Sequence, residues 1–261
     1  MRRRFFGETL VAIALLAVAS NLSLKAALTE ELHKTYPLDA DGRVSLKNVN
    51  GAVHITAWDR NEVQVDAVKR AQTKQALDEA SIVIDSSSGS ISIRTRYPEE
   101  NHRRDHASVE YTLKVPKRSR LSAIESVNGG VDVTGVTGDA KISSVNGSVK
   151  ASGLAGDANL TTVNGQVEAN FDRAEGSITL NTVNGGIALS LPPRTNAEIT
   201  AHTVHGRITN DFGIPMPNGL KIGGSLSGRI GSGSGGRIKV NTVNGGIRIY
   251  SMVDGRRVLH T

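Results

Sequence analysis

The chain has 261 residues, enough to bury a sizeable core, yet 28 of them are Gly, aromatics make up 3% and Cys is absent. Neither large aromatic packing nor disulfides can therefore carry stability, and a core of Val, Ile, Leu and Ala implies many thin, regular layers. The formal charge of +6 falls to +3 when residues 1–26 are set aside, because Arg2, Arg3, Arg4 and Lys25 leave with Glu8, and so balanced a surface removes the main support for a nucleic-acid partner.

Residues 1–26 read as an export signal. The three arginines form a positive n-region, and residues 10–19 (LVAIALLAVA) are an uncharged apolar run, shorter than the roughly 20 residues a membrane-spanning helix needs. Ala17-Val18-Ala19 offers cleavage after Ala19, and Lys25-Ala26-Ala27 offers it after Ala26. An uncleaved anchor and a buried helix are the alternatives. The expected mature chain carries no membrane span, and the lack of Cys excludes a lipid-anchored cysteine at the cleavage site.

Residues 27–125 form the less regular part. Segments 62–68 (EVQVDAV), 81–96 and 108–115 (SVEYTLKV) alternate as strands do, residues 75–80 suit a short helix that acts as a cap or excursion, and residues 96–106 (RYPEENHRRDH) read as a charged loop. From residue 126 to 261 a repeat takes over. Val-Asn-Gly places its glycine at Gly51, Gly129, Gly147, Gly165, Gly185 and Gly245, with Val-His-Gly adding Gly206. Gly89 and Gly228 divide the longer gaps, so a unit of roughly 18–22 residues recurs and predicts about ten coils. Residues 223–236 read as a mobile Gly/Ser-rich segment, and a short basic tail, residues 255–261, ends the chain.

The columns of this alignment carry the physics. Two residues after the glycine stand Val53, Val131, Val149, Val167, Ile187, Ile208 and Ile247, and four after stand Ile55, Val133, Ala151, Ala169, Leu189, Asn210 and Ile249. This is the period of a strand with one buried face. Five residues before the glycine stand Leu46, Ile124, Ile142, Leu160, Leu180, Ala201 and Val240, so each unit contributes two strands.

Two all-β architectures fit. Asn-Gly is a strong hairpin signal, since both residues tolerate positive φ, and an antiparallel meander or sandwich is one reading. A parallel β-solenoid, right-handed β-helix or β-roll in kind, is the favoured one, with equivalent residues stacked about 4.8 Å apart. The outward column Asp132, Lys150, Glu168 then alternates charge between neighbours, and Asn128, Asn146, Asn164, Asn184 and Asn244 form a side-chain ladder at one corner.

The repeated V-N-G-x-V/I-x-V/I pattern behind a signal segment, the lead-in Tyr36-Pro37-Leu38 and the stretch NVNGAVHITAWDRNEVQVDAVKRA resemble the bacterial putative-adhesin family of exported β-strand-repeat proteins, over residues 36–250. The resemblance implies an exported solenoid-like fold and a surface role. It implies no catalytic residues, because the family has no active-site motif to match.

Chemistry is sparse. His102 and His106 flank Asp105 at helical metal-ligand spacing, but Pro98 and the density of charge favour a solvated loop. His205 stands in the ladder position with His202 close by. Residues 231–236 (GSGSGG) precede a strand rather than the helix a dinucleotide fingerprint requires. A polysaccharide-active enzyme would need paired carboxylates, whereas Asp132, Asp139, Asp157, Glu168, Asp172 and Glu175 are spread along the repeat. The expectation is a non-enzymatic exported protein of the periplasm or bacterial cell surface that uses no cofactor or metal. Its expected partner is a surface glycan or protein, with self-association into an envelope scaffold and a glycan enzyme as the lesser readings.

Overall fold

The computed structural model describes residues 27–98, 107–215, 223–232, 235–253 and 256–257. The proposed signal segment, most of the charged loop with His102, Asp105 and His106, and most of the basic tail lie outside these residues. In chain order, β1 (Leu28–Pro37) precedes the first repeat, β2 (Arg43–Asn50) and β3 (Val53–Trp58). The irregular region supplies β4 (Glu62–Ala71), α1 (Lys74–Glu79), β5 (Ser81–Ser87), β6 (Ser90–Arg96) and β7 (Ser108–Pro116). Four regular repeats follow as β8 (Arg120–Asn128) with β9 (Val131–Thr134), β10 (Ala140–Asn146) with β11 (Val149–Leu154), β12 (Ala158–Asn164) with β13 (Val167–Phe171), and β14 (Ser177–Asn184) with β15 (Ile187–Leu191). Then come β16 (Ala197–His205), β17 (Ile208–Asn210), β18 (Gly224–Ile230), β19 (Gly236–Asn244), β20 (Ile247–Val253) and β21 (Arg256–Arg257).

Each repeat crosses between two long, open and mostly parallel sheets. Sheet I collects the strands before Asn-Gly, in the order β18-β16-β19-β14-β12-β10-β8-β2-β6-β5. Sheet II collects those after it, in the order β1-β4-β7-β3-β9-β11-β13-β15-β20-β17, with β21 on β20. The inward columns of both meet in one apolar core that runs from Leu38 to Ile249. Val53, Val131, Val149, Val167 and Ile247 are fully buried, as are Leu46, Ile124, Leu160, Leu180 and Val240. The fold is thus a β-solenoid with two sheets, and the parallel register of Val149 with both Val131 and Val167 rules out the meander. Asn210 departs from its apolar column: it is half-buried, and its side chain bonds the backbone N–H and carbonyl of Ile214.

Spatial order departs from chain order at both ends. At the N-terminal end β2 pairs with β8, so Gly51 and Gly129 lie on neighbouring rungs although the chain separates them widely, and β6 and β7 form a rung outside them. At the other end β19 and β20 insert between the β14–β15 rung and the outermost β16–β17 rung. Among the described residues this leaves eight two-strand rungs rather than about ten. Gly89 is the turn of the antiparallel β5–β6 hairpin, and Gly228 lies within β18, opposite Ile199. Neither is a solenoid corner. Much of the Gly/Ser-rich segment is therefore an antiparallel edge strand. The excursion in the irregular region holds α1, where the Thr73 hydroxyl accepts from the Ala76 N–H at 3.2 Å. Ala76 and Leu77 join a small satellite core.

The inward column predicts a sharp contrast. Val149→Asp puts an unpaired charge at a fully buried position and should cost upward of about 3 kcal/mol. Lys150→Thr, one residue away and exposed, should change stability by no more than about 0.5 kcal/mol. Urea denaturation of both variants measures the difference, and similar midpoints would contradict the assigned faces.

Candidate functional site

The Asn-Gly corner is the most ordered feature of the surface. The Nδ2 of Asn128 donates to Asn50 Oδ1, Asn146 to Asn128 and Asn164 to Asn146, each at 2.9 Å. Asn184 donates to Asn164 and Asn244 to Asn184, each at 2.8 Å. All five predicted ladder residues stand in one line, and Asn50 extends it. His205 takes the next position in register, beside Asn244.

The glycines are needed for a reason other than turn dihedrals. Of the seven corner glycines only Gly51 has a positive φ, +116°. At Gly129, Gly147, Gly165, Gly185, Gly206 and Gly245 an added Cβ would lie within 2.3 Å of the neighbouring rung's glycine carbonyl oxygen. The rungs stack through their backbones here, and only hydrogen fits between them.

A hydroxyl column, unremarked in the sequence reading, completes the corner. Ser144 Oγ donates to the Gly129 carbonyl at 2.9 Å, Thr162 to Gly147 at 2.8 Å, Thr182 to Gly165 at 2.9 Å, Thr242 to Gly185 at 2.9 Å and Thr203 to Gly245 at 2.8 Å. The Ser or Thr two residues before Asn128, Asn146, Asn164, Asn184, Asn244 and His205 was the available signal. At the N-terminal end Asn48 replaces the hydroxyl. Its amide donates to the Gly51 and Val109 carbonyls at 3.0 and 2.7 Å, and the buried Ser126 hydroxyl is left without a partner. Thr95 donates to Asn48 Oδ1, which leaves the Tyr111 hydroxyl to donate to Thr95. Burial pushes the Tyr111 phenol up to about 12.

Outside this corner the two sheets present different surfaces. On sheet I the valine of each repeat points to solvent: Val127, Val145, Val163, Val183, Val204 and Val243 are 38–41% exposed. Beside them on β10, β12, β14 and β19 stand Ser143, Thr161, Asn181 and Asn241, and Asn241 Nδ2 donates to Asn181 Oδ1 at 3.0 Å. The result is a patch two columns wide of Val, Ser, Thr and Asn over four rungs, bordered on the same face by Lys141, Lys239 and Glu125. Sheet II instead carries a charged row in register across its strands, through His33, Asp66, Thr112, His54, Asp132, Lys150 and Glu168. Lys150 lies between Asp132 and Glu168 as predicted but makes no ion pair within 4.0 Å among the described residues; Asp132 pairs with His54 Nδ1 at 3.2 Å.

A cleft of about 410 Å³ opens at the other border of sheet I, where its strands begin. Arg43, Arg120, Lys141, Asp139 and Asp157 line it with Ser122, Asn159, Ser177 and Thr179. Asp139 and Asp157 each accept the amide of the following rung, from Asp157 N at 3.2 Å and Ser177 N at 2.8 Å. Both carboxylates thus tie one rung to the next. A second cleft, of about 660 Å³, holds Asp172, Glu175, Arg173 and Arg194. No cluster of three or more His, Asp or Glu side chains suited to a metal occurs among the described residues, and no described helix is long and apolar enough to cross a membrane.

The Toastrack DUF4097 family matches residues 18–250. The chain belongs to that family. No curated protein matches it. Among solved structures, a putative cell adhesion protein from Clostridium sporogenes shares 12% identity, with 84% of this chain and 99% of that chain covered and a TM-score of 0.46. A putative adhesin from Bacteroides fragilis shares 10% identity over 84% and 97%, with a TM-score of 0.42. A putative lipid binding protein from Parabacteroides distasonis shares 10% identity over 84% and 96%, with a TM-score of 0.33. Membership of the Toastrack family gives no catalytic residue to look for, and the surface itself has to supply the functional evidence.

Two predictions follow from the hydrogen-bond columns and the charged row. Thr162→Val removes a buried hydroxyl that satisfies the Gly147 carbonyl and should cost about 1–3 kcal/mol, more than the roughly 1 kcal/mol expected for Asn164→Ala on the exposed ladder; thermal denaturation of the two variants tests the order. His33 lies 3.0 Å from Asp66 and 3.3 Å from Glu31, and the Asp66 hydrogen bond, then the Glu31 one, raise its pKa above 6.5. The raised value means that His33 favours the folded state below pH 6.5 and that this contribution fades as pH rises through the folded pKa. An NMR titration should give a midpoint above 6.5 that falls in Asp66→Asn.

Proposed function

We propose that this protein is an exported, non-enzymatic, adhesin-like binding module of the bacterial envelope whose ligand-facing surface is the outer face of sheet I. The observation that carries the reading is the uncharged array centred on Val145, Val163, Val183 and Val243. Folded surfaces normally intersperse charges of both signs, and these two columns carry none over four rungs. An apolar column exposed over consecutive rungs leaves area for a partner to cover, and the Asn and Thr columns beside it supply directional hydrogen bonds. Residues 1–26 would direct export and be removed, which delivers the solenoid to the periplasm or the cell surface. Corner stacking holds the array rigid, so binding would lose little side-chain or loop entropy.

Self-association is the second reading. Two strand edges at the N-terminal end favour it: among the described residues β1 pairs only with β4, and β5 only with β6, and unpaired edges accept further strands.

The test is retention of the full chain on bacterial envelope and extracellular-matrix preparations. A Val163→Lys/Val183→Lys variant should keep its melting temperature and lose at least tenfold in retention. Equal retention of the variant, or no retention of the unaltered chain on either preparation, would sink the reading. Filaments that grow with concentration in light scattering, with no retention, would favour the scaffold.

A further inference from the structure

The cleft at the strand-start border of sheet I contains a charge arrangement that the fold does not need. Arg43 and Arg120 are direct partners on adjacent parallel strands, a like-charge pair that weakens sheet pairing. The equivalent position on the next two rungs is Asp139 and then Asp157, since Leu121 aligns with Ala140 and Ala140 with Ala158. The column continues with Ser177 and Arg237, so its residue type varies, but among the described residues only Arg43 and Arg120 set two arginines side by side in it. Among the described residues neither guanidinium makes a side-chain hydrogen bond or an ion pair within 4.0 Å, even though Arg120 is one rung from Asp139. Lys141 adds a third cation to the same cleft.

The local backbone is also altered there. β8 carries an extra residue at Leu121–Ala123, seen as a register shift against both β2 and β10. Such bulges re-aim side chains and concentrate beside binding sites. This one places Ser122 in the cleft wall, with its hydroxyl on the Val44 carbonyl at 3.3 Å.

We infer that this cleft binds an acidic polysaccharide, with the carboxylate of a uronic acid unit held between Arg43 and Arg120. The inference rests on the adhesin-like reading and names its ligand class. Paired guanidiniums suit a planar carboxylate, which each can meet with two N–H donors. The remaining lining selects the rest of the ligand. Asp139 and Asp157 accept, and Ser122, Asn159 and Thr179 donate and accept, hydrogen bonds suited to ring hydroxyls. The lining runs over five rungs from Arg43 to Ser177, roughly 20 Å at about 4.8 Å per rung, which accommodates several sugar units.

Calorimetric titration of the full chain with a galacturonate hexasaccharide, its methyl ester and inorganic polyphosphate tests this. The acid should bind, and the ester should bind at least tenfold more weakly. Arg43→Gln/Arg120→Gln should weaken binding of the acid at least tenfold while leaving the melting temperature unchanged or raised, because the like-charge pair is gone. Lys141→Gln should weaken it less. Equal binding of acid and ester, an unaffected double arginine variant, or tighter binding of polyphosphate would each overturn the inference. Envelope retention without uronate binding would overturn it while leaving the adhesin-like function standing; uronate binding without envelope retention would do the reverse.

Discussion

Everything in this molecule depends on how closely one rung can approach the next at the Asn-Gly corner. There the backbones are so near that a single methyl group would collide with the neighbouring carbonyl. The glycine is therefore the condition for in-register stacking, and once it is met three hydrogen-bond columns close together. The Asn amides chain along the outside, glycine N–H groups reach the adjacent Asn carbonyls at about 3.0–3.1 Å, and Ser or Thr hydroxyls occupy the glycine carbonyls from within. The corner glycines thus have N–H and C=O groups paired from one rung to the next. A core of small aliphatic residues is then sufficient, because each rung needs to fill only the thin space between two sheets.

The solenoid was legible because its periodicity is written at two scales. Alternation of Val and Ile marks a strand, and recurrence of the whole unit marks stacking; Asp132, Lys150 and Glu168 favoured parallel neighbours over a meander. The meaning of Asn-Gly was harder to read. It is a hairpin signal in isolation, and only the stacked geometry shows that Gly147 or Gly165 serves a close approach instead of a left-handed turn. The exposed valines were hidden for a related reason. Val127 or Val163 in a sequence suggests a core, yet each lies between an inward hydroxyl and the outward Asn ladder, at a phase that directs it to solvent.

Rung order could not be read from the repeat at all. Gly51 and Gly129 are far apart in the chain and adjacent in space, and Gly245 inserts ahead of Gly206. Any two rungs that share the corner pattern can stack, so the repeat is satisfied by several orders. The ends choose among them through residues that break the pattern. Asn48 with Thr95 and Tyr111 closes one end with a side-chain network. At the other, β18 covers the edge of β16 with an antiparallel strand and leaves no parallel neighbour to add.

This division explains where function can reside. Inward positions are held by packing, and corner positions by contact with the rung on either side, so a change at either is expected to cost stability. Outward positions carry no such constraint, and a departure there from good sheet chemistry demands a reason. Lys47 and Glu125 show the ordinary outcome, an ion pair of 3.0 Å between neighbouring rungs. Arg43 and Arg120, four and five positions earlier in the same two strands, show the reverse, two like charges beside a bulge at the wall of a cleft. Sheet pairing gains nothing from two adjoining arginines, and an anionic ligand is what such a pair of guanidiniums would accommodate.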